Sequence, residues 1–158
     1  MKKLKNIGEN EFYLIEKFIL LEKSNFHYLK KIGWGTQQIQ NHMKKSNNFS
    51  ICNLENNLIT GILIGETVKN NDFCDLEIHL IYVAKKRRNR KVGSNLLKFI
   101  ELHKNDTKIS NIYLEVSEDN LTAIKFYEKN DFVFLRFRHN YYKYKNNLYN
   151  ARCYLKKI

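Results

Sequence analysis

The sequence predicts a mixed α/β fold of the α+β kind, in which helices pack on a sheet. Two observations predict this class. Segments with apolar residues at helical spacing are interspersed with segments in which every second residue is apolar, an order that suits neither a helix bundle nor a β-sandwich. The 158 residues are 43% hydrophobic and include no proline, and no repeat or linker divides them. We therefore expect one domain over residues 1–158.

Two helices and three strands are predicted in the first half of the chain, over residues 9–22, 36–44, 48–54, 58–68 and 76–83. Thr36 is the expected N-cap of the second helix, because its hydroxyl can accept a hydrogen bond from the first turn. In the third strand, Leu76, Ile78, Leu80 and Tyr82 alternate with the residues between them, the period of a strand whose successive side chains point to opposite faces.

Two helices and three strands are also predicted in the second half, over residues 92–104, 111–116, 119–129, 132–138 and 148–155. Asp119 is the expected cap of the later helix. A polar, tyrosine-rich loop is expected between the last two strands, and it would contain residues 138–142. The order of helices and strands predicts a sheet covered by helices.

The chain carries 28 basic and 16 acidic residues, a formal charge of +12. One interpretation is a polyanionic partner, such as nucleic acid, a phosphorylated cofactor or a ribosomal surface. The other is a compositional bias toward lysine that has little bearing on function. The position of the basic run at residues 85–91, directly before a predicted helix, is more informative than the total charge.

Several classes of protein are not expected. The longest apolar stretch, residues 58–65, is far shorter than the roughly 20 residues of a transmembrane helix, and polar residues follow the basic start where a secretory signal would have an apolar core. Cys52, Cys74 and Cys153 form no paired motif, and the five histidines show no local metal-ligand spacing. We expect no disulfide framework, no metal, no membrane contact and a cytoplasmic location.

The segment from Arg88 to Ser94 joins a predicted strand to a predicted helix. Such a junction leaves backbone N–H groups without partners at the helix start, where the helix dipole is positive. A phosphate can bind there, because Gly93 permits its close approach to the main chain and the neighbouring cations add charge. Neither GxGxxG nor GxxxxGK[ST] occurs, so dinucleotide and P-loop sites are not expected.

Further motifs surround this loop. Strand 78–83 precedes Arg88-x-x-Lys91-x-Gly93, paired leucines follow, and Leu114-Glu115-Val116, Asn120 and Phe126-Tyr127 come later. Residues 78–158 thereby resemble the GNAT superfamily of N-acetyltransferases, whose loop reads Q/R-x-x-G-x-G/A. The resemblance implies a mostly antiparallel sheet flanked by helices and acetyl-CoA as co-substrate. It implies that acetyl-CoA contacts Ile81, Tyr82, Val83, Arg88, Asn89, Arg90, Lys91, Val92, Gly93, Ser94 and Asn120.

Lys91 departs from this pattern, because it stands where the family loop has its first glycine. If the position needs a positive φ, a lysine there costs on the order of 1 kcal/mol, and its Cβ would crowd a phosphate. Alternatively, its side chain contacts a phosphate directly. We expect binding to survive, since Gly93 and the helix start remain.

A narrower resemblance, to the bacterial ribosomal-protein-alanine N-acetyltransferases, lies in Leu114-Glu115-Val116-x-x-x-Asn120-x-x-Ala123-Ile124-x-x-Tyr127 and in Arg138-His139-Asn140-Tyr141-Tyr142. It implies that Glu115 is the general base, that Tyr127 is the general acid, and that the acceptor is the N-terminal alanine of small-subunit ribosomal protein eighteen. An ordinary solvated strand glutamate and a core tyrosine are the structural alternatives for these two residues.

Two other functions stay open. One is acetyl transfer to a different amine, on a polyamine, an amino sugar or a lysine side chain. The other is a basic RNA- or ribosome-binding module without turnover, which the charge of +12 and the Lys91 departure favour. The presence of Glu115 and Tyr127 at the family spacing argues against that module, so direct nucleic-acid binding is not expected.

Overall fold

The computed structural model describes residues 2–22, 29, 33–70, 72–144 and 147–158. Within these ranges seven strands form one sheet with helices on both faces, which confirms the predicted fold class. The strands are β1 (Lys2–Asn6), β2 (Asn48–Glu55), β3 (Leu58–Asn70), β4 (Phe73–Val83), β5 (Ile109–Ser117), β6 (Val133–Tyr144) and β7 (Asn147–Lys157). The helices are α1 (Phe12–Leu21), α2 (Thr36–Met43), α3 (Val92–Leu102), α4 (Lys104–Thr107) and α5 (Leu121–Lys129), with 3-10 turns at Glu9–Glu11 and Lys85–Arg87.

The two central strands β4 and β5 are paired over only part of their length. The strand order is β1-β2-β3-β4-β5-β7-β6, and every neighbouring pair is antiparallel except β4 and β5. Pairing of β4 with β5 ends at Ile78↔Leu114, although β4 continues to Val83 and β5 to Ser117. The carboxyl ends of these two strands therefore part and leave a gap in the sheet.

A β-bulge lies at the point where β4 leaves β5. Gly65 of β3 pairs with Ile78 and Ile64 pairs with Leu80, so His79 is an extra residue on β4. Ile78 packs in the core under α3 and α5, whereas Leu80 packs in the core under α1 and α2. The regular alternation expected along this strand is therefore wrong at His79, because a bulge shifts the register by one residue.

Each face of the sheet carries its own apolar core. Ile15 and Phe18 of α1, with Ile39 of α2, are buried on one face, and Leu96 and Ile100 of α3 are buried on the other. These helices form because each presents one apolar stripe to the sheet and leaves its polar side in water. Among the helices in the described ranges, none combines the length and apolar character that crossing a membrane requires.

The structure corrects both predicted helix caps. The N-cap of α2 is Gly35, in an extended conformation, and Thr36 is the first helical residue. The N-cap of α5 is Asn120, whose side chain accepts a hydrogen bond from Ala123 N at 3.2 Å. Asp119 instead accepts a hydrogen bond from the hydroxyl of Ser117, so its position just before the helix does not make it the cap.

Two strand segments also differ from the prediction. Strand β1 is too short and too rich in lysine to show an apolar alternation, so no strand was predicted there. The tyrosine-rich segment expected as a loop belongs mostly to β6, which runs to Tyr144 with an irregularity between Arg138 and Tyr142. Asn140, with φ 55°, lies inside that irregularity. The extra helix α4 follows α3 directly and was not predicted either.

Candidate active site

A tight basic loop leads from the end of β4 into α3. Arg88 Nε donates a hydrogen bond to Val83 O at 3.2 Å, which holds the loop against the end of the strand. Asn89 and Lys91 have φ values of 59° and 61°, so the backbone adopts the left-handed conformation twice. Lys91 therefore occupies a conformation that favours glycine. The side chains of Arg88, Asn89, Arg90 and Lys91 are exposed.

The start of α3 presents free backbone donors. The first helical hydrogen bond runs from Asn95 N to Lys91 O at 2.9 Å. The N–H groups of Val92, Gly93 and Ser94 have no acceptor within the described parts of the chain. These donors and the positive end of the helix dipole suit a diphosphate group, and the exposed cations beside them add attraction.

Gly93 is required by packing. A Cβ at this position would lie 2.9 Å from Cζ and 3.1 Å from Cε2 of Phe126 on α5. No other side chain fits between α3 and that ring unless one of them moves. The sequence predicts that Gly93 lets a phosphate approach the main chain. In the structure the same glycine also lets α3 pack closely against Phe126 of α5.

The three predicted contact residues at the end of β4 differ in how far their side chains are buried. Ile81 and Val83 are half-buried, whereas Tyr82 is buried and packs edge-on against Phe18 with ring centres 5.8 Å apart. The Tyr82 hydroxyl donates a hydrogen bond to Glu22 Oε2 at 3.2 Å, and burial raises the pKa of Tyr82 to about 12. Its side chain is thus part of the core, and its main chain is the part that faces the gap.

Glu115 lies on β5 just beyond the last pairing with β4. Its neighbours Leu114 and Val116 are buried under α3 and α5, so Glu115 points to the opposite face, as the strand alternation predicts. Its Oε1 accepts a hydrogen bond from Arg138 Nη1 at 2.6 Å, and Cys153 Sγ lies 3.7 Å from the same oxygen. The carboxylate is therefore held in place by β6 and β7.

Two tyrosines of β6 complete the surroundings of Glu115. The Tyr142 hydroxyl donates a hydrogen bond to Glu115 O at 3.4 Å, and the guanidinium of Arg138 lies 4.0 Å from the centre of the Tyr141 ring. Burial, and then the nearby Glu115 carboxylate, raise the pKa values of both tyrosines. The sequence predicts residues 138–142 as a tyrosine-rich loop, and in the structure Arg138, Tyr141 and Tyr142 of this segment lie beside Glu115.

Tyr127 lies on α5, on the other face of the sheet. Its ring packs against Phe126 and Phe132, with centres 5.3 Å and 5.6 Å away. Burial raises the pKa of Tyr127 to about 12, above the ordinary tyrosine value of roughly 10. The hydroxyl makes no hydrogen bond within the described residues and is not fully enclosed there, so a small part of its surface stays accessible in an otherwise buried side chain.

Glu115 and Tyr127 are thus separated by the sheet. The gap between β4 and β5 opens at Glu115, and one extended ligand lying in it can contact groups on both faces. Asn120 is the exposed N-cap of α5, three residues after the end of β5, and its side chain already caps that helix.

A second polar cluster on the Glu115 face had no signal in the sequence. It comprises His42 of α2, Glu66 of β3 and His79 of β4, with one ligand atom from each within 4.8 Å of the others. Burial lowers the pKa of His42, and the Lys45 ammonium lowers that of Glu66. Their wide sequence separation explains why a search for local spacing passed over them.

Comparison with known proteins identifies the family of the chain. The model of the acetyltransferase (GNAT) family matches residues 15–132, most of the chain. The chain belongs to the GNAT acetyltransferase family. It is therefore an acetyl-CoA-dependent N-acetyltransferase, which confirms the superfamily resemblance. No curated protein matches the sequence.

Solved structures share this fold, two of them over nearly the whole chain and one over three quarters of it. The ribosomal-protein-S18-alanine N-acetyltransferase from Escherichia coli is 18% identical with a TM-score of 0.75, covering 100% of this chain and 94% of that one. NAA60 from Arabidopsis thaliana, in complex with a bisubstrate analogue, is 14% identical with a TM-score of 0.79, covering 99% and 98%. A putative streptothricin acetyltransferase from Bacillus anthracis, in complex with acetyl coenzyme A, is 27% identical with a TM-score of 0.63, covering 75% and 66%.

Proposed function

We propose that this GNAT enzyme acetylates the N-terminal α-amine of a protein, and that the substrate is a ribosomal protein beginning with alanine. The observation that carries the proposal is the position of Glu115, a carboxylate held by Arg138 at the open edge between β4 and β5. The similarity to the Escherichia coli enzyme that modifies ribosomal protein S18 supports the choice of substrate.

The loop and the start of α3 fit the diphosphate of acetyl-CoA. The free N–H groups of Val92, Gly93 and Ser94 would hold its oxygens, with Arg88 and Arg90 beside them. When bound, acetyl-CoA supplies the acetyl thioester that the amine attacks. The unpaired main chain at the end of β4 would hold the extended arm of the co-substrate in the gap, with Asn120 at its far side.

Glu115 would take the proton of the amine. An α-ammonium group has a pKa of about 7.7–8.0 and cannot attack while it is protonated, so a nearby carboxylate must accept its proton, directly or through a water. A lysine side chain, with a pKa of about 10.4, holds its proton more tightly by about 2.5 units. A carboxylate base therefore suits an α-amine better than a lysine side chain.

Tyr127 would hold a proton near the departing sulfur. Its raised pKa keeps the hydroxyl protonated at every pH at which the enzyme would work. The donation to a thiolate is uphill, because an ordinary thiol has a pKa of about 8.5, well below that of Tyr127. The tyrosine therefore acts chiefly by donating a hydrogen bond, and it passes its proton only as the thiolate forms.

The face that would receive the acceptor is acidic, although the chain as a whole is basic. Glu66 pairs with Glu77 across β3 and β4, and Glu77 pairs with Tyr113 on β5, two residues before Glu115. All three carboxylates lie on the face that carries α1 and α2. Because Lys45 and Arg138 pair with Glu66 and Glu115, Glu77 would be the carboxylate that attracts a cationic amine toward the gap.

Acetyl transfer to short peptides tests the proposal. The protein is mixed with acetyl-CoA and a peptide that begins with alanine and has no lysine, and the release of free thiol is measured. The matched controls are the same peptide with a blocked N-terminus and a blocked peptide with one internal lysine. We expect turnover with the free alanine alone. Turnover with the lysine peptide alone would contradict the α-amine assignment.

Intact mass spectrometry of ribosomal proteins tests the substrate. Proteins extracted from ribosomes are incubated with enzyme and acetyl-CoA, and we expect one alanine-starting protein to gain a single acetyl group. Salt-sensitive RNA binding without acetylation of any protein or peptide would instead indicate a binding module.

A further inference from the structure

We propose that His42, Glu66 and His79 form a Zn²⁺-binding site that ties α2 to the sheet. The site is separate from the loop and from Glu115, and it does not depend on the identity of the acceptor. Two imidazoles and one carboxylate are a donor set that zinc uses in proteins, with a further position left for water. The three residues come from α2, β3 and the bulge of β4, so one ion would cross-link three elements.

The separations between the donor atoms suit a small ion. His79 Nε2 lies 3.7 Å from Glu66 Oε1, and all three ligand atoms lie within 4.8 Å of one another. Zinc at about 2.1 Å from each ligand in a tetrahedral site requires separations of about 3.4 Å. The His79–Glu66 pair needs almost no movement, and the separations to one ring nitrogen of His42 must shorten by at most about 1.4 Å.

The imidazole of His42 is already oriented as metal-ligating histidines are. It is buried, and its Nε2 lies 2.8 Å from Gly65 O. Because a carbonyl oxygen only accepts, Nε2 carries the proton, and the neutral ring keeps a lone pair on Nδ1. A ligating histidine commonly donates its other N–H to a backbone carbonyl in this way.

Glu66 and Lys45 set the charge of the site. Lys45 Nζ contacts Glu66 Oε2 at 2.9 Å, which leaves Oε1 facing His79. The carboxylate therefore has one oxygen for the ion. The ammonium of Lys45 opposes a second cation, so removal of this charge should strengthen zinc binding.

The fluorescence of Trp34 can report directly on metal binding at this site. Trp34 is the one tryptophan of the chain, its ring stacks on His79 with centres 5.8 Å apart, and it meets the edge of His42 at 5.7 Å. A paramagnetic ion in the same site would quench its fluorescence. Co²⁺ prefers similar ligands to Zn²⁺, so the two ions should compete.

The experiment is a titration of the chelator-treated full-length protein with Zn²⁺ by calorimetry, and with Co²⁺ by tryptophan fluorescence. We expect one Zn²⁺ per chain, a higher Tm with Zn²⁺ but not with Mg²⁺, and Co²⁺ quenching that Zn²⁺ reverses. Glu66→Gln and His79→Ala should each weaken zinc binding by more than about tenfold, because a third of the ligands is lost.

Two control variants sharpen the result. His103→Ala removes a histidine at the end of α3 that is bonded to Phe99 O, and it should leave zinc affinity unchanged. Lys45→Met should tighten zinc binding. Far-ultraviolet circular dichroism shows whether each variant is folded. Absence of one-to-one binding, or equal affinity in folded wild type, Glu66→Gln and His79→Ala, would overturn the proposal.

Discussion

At the scale of single residues, the proposed chemistry centres on the Glu115 carboxylate. Its contacts with Arg138 and Cys153 join β5 to two later strands. The side of the sheet that Glu115 faces follows from the alternation of residues 112–116. Its partners do not, because the register of β6 and β7 decides which residues come next to it. The face on which Glu115 lies was therefore predictable, whereas its pairing with an arginine was not.

Replacement of Glu115 by glutamine tests the base. We expect Glu115→Gln to lower kcat by about 10²- to 10⁴-fold, because the amide cannot accept the proton of the amine. Coenzyme A binding, measured by calorimetry, should not change. Glu101→Gln is the matched control, since Glu101 lies on α3 and pairs with Lys156. A wild-type kcat in Glu115→Gln would remove this carboxylate from the mechanism.

Tyr127 should make the free energy of unfolding depend on pH in the alkaline range. Burial raises its pKa to about 12, whereas the unfolded value is about 10. The folded protein therefore retains a proton that the unfolded chain releases, so the stability due to this group is complete below about pH 10 and falls as the pH rises toward 12. We expect Tyr127→Phe to lose less free energy of unfolding than wild type over this interval, measured by urea titration.

The same variant separates structure from catalysis. Because the Tyr127 hydroxyl has no hydrogen bond among the described residues, Tyr127→Phe should be as stable as wild type at pH 7 while its kcat falls. Equal alkaline losses of stability in the two proteins would show that burial does not hold this phenol protonated.

At the scale of elements, the packing of α3 against α5 controls the loop that would bind the co-substrate. A Cβ on Gly93 would meet the Phe126 ring at 2.9 Å. We expect Gly93→Ala to reduce stability by about 1–3 kcal/mol, as overpacking does, and to weaken coenzyme A binding. The double variant Gly93→Ala with Phe126→Leu should recover most of both, measured by urea unfolding and calorimetry. No recovery would mean that Phe126 is not the reason for the glycine.

Most elements could be predicted from apolar periodicity, and the exceptions have local physical causes. The helices α1, α3 and α5 each carry a clear apolar stripe. The bulge at His79 was not visible, because Ile81 is as apolar as its neighbours and conceals the change of register. Side-chain capping preferences predicted Thr36 and Asp119, whereas the caps are Gly35, through its extended backbone, and Asn120, through its side chain.

At the scale of the whole molecule, the net charge of +12 is unevenly distributed. The basic loop is next to the start of α3, while carboxylates lie on the face of Glu115. We expect Arg88→Gln with Arg90→Gln to weaken coenzyme A binding and to reduce its dependence on salt, because these cations lie beside the free N–H groups. The control Lys3→Gln with Lys17→Gln removes the same charge from exposed sites on β1 and α1. Equal effects of both pairs would indicate attraction by net charge alone.

A crystal structure of the protein with coenzyme A tests the account most directly. We predict diphosphate oxygens about 3 Å from the N–H groups of Val92, Gly93 and Ser94, and a sulfur in the gap between β4 and β5, with the Tyr127 hydroxyl on one side and Glu115 on the other. Coenzyme A bound elsewhere on the chain, or with its sulfur out of reach of both side chains, would contradict it.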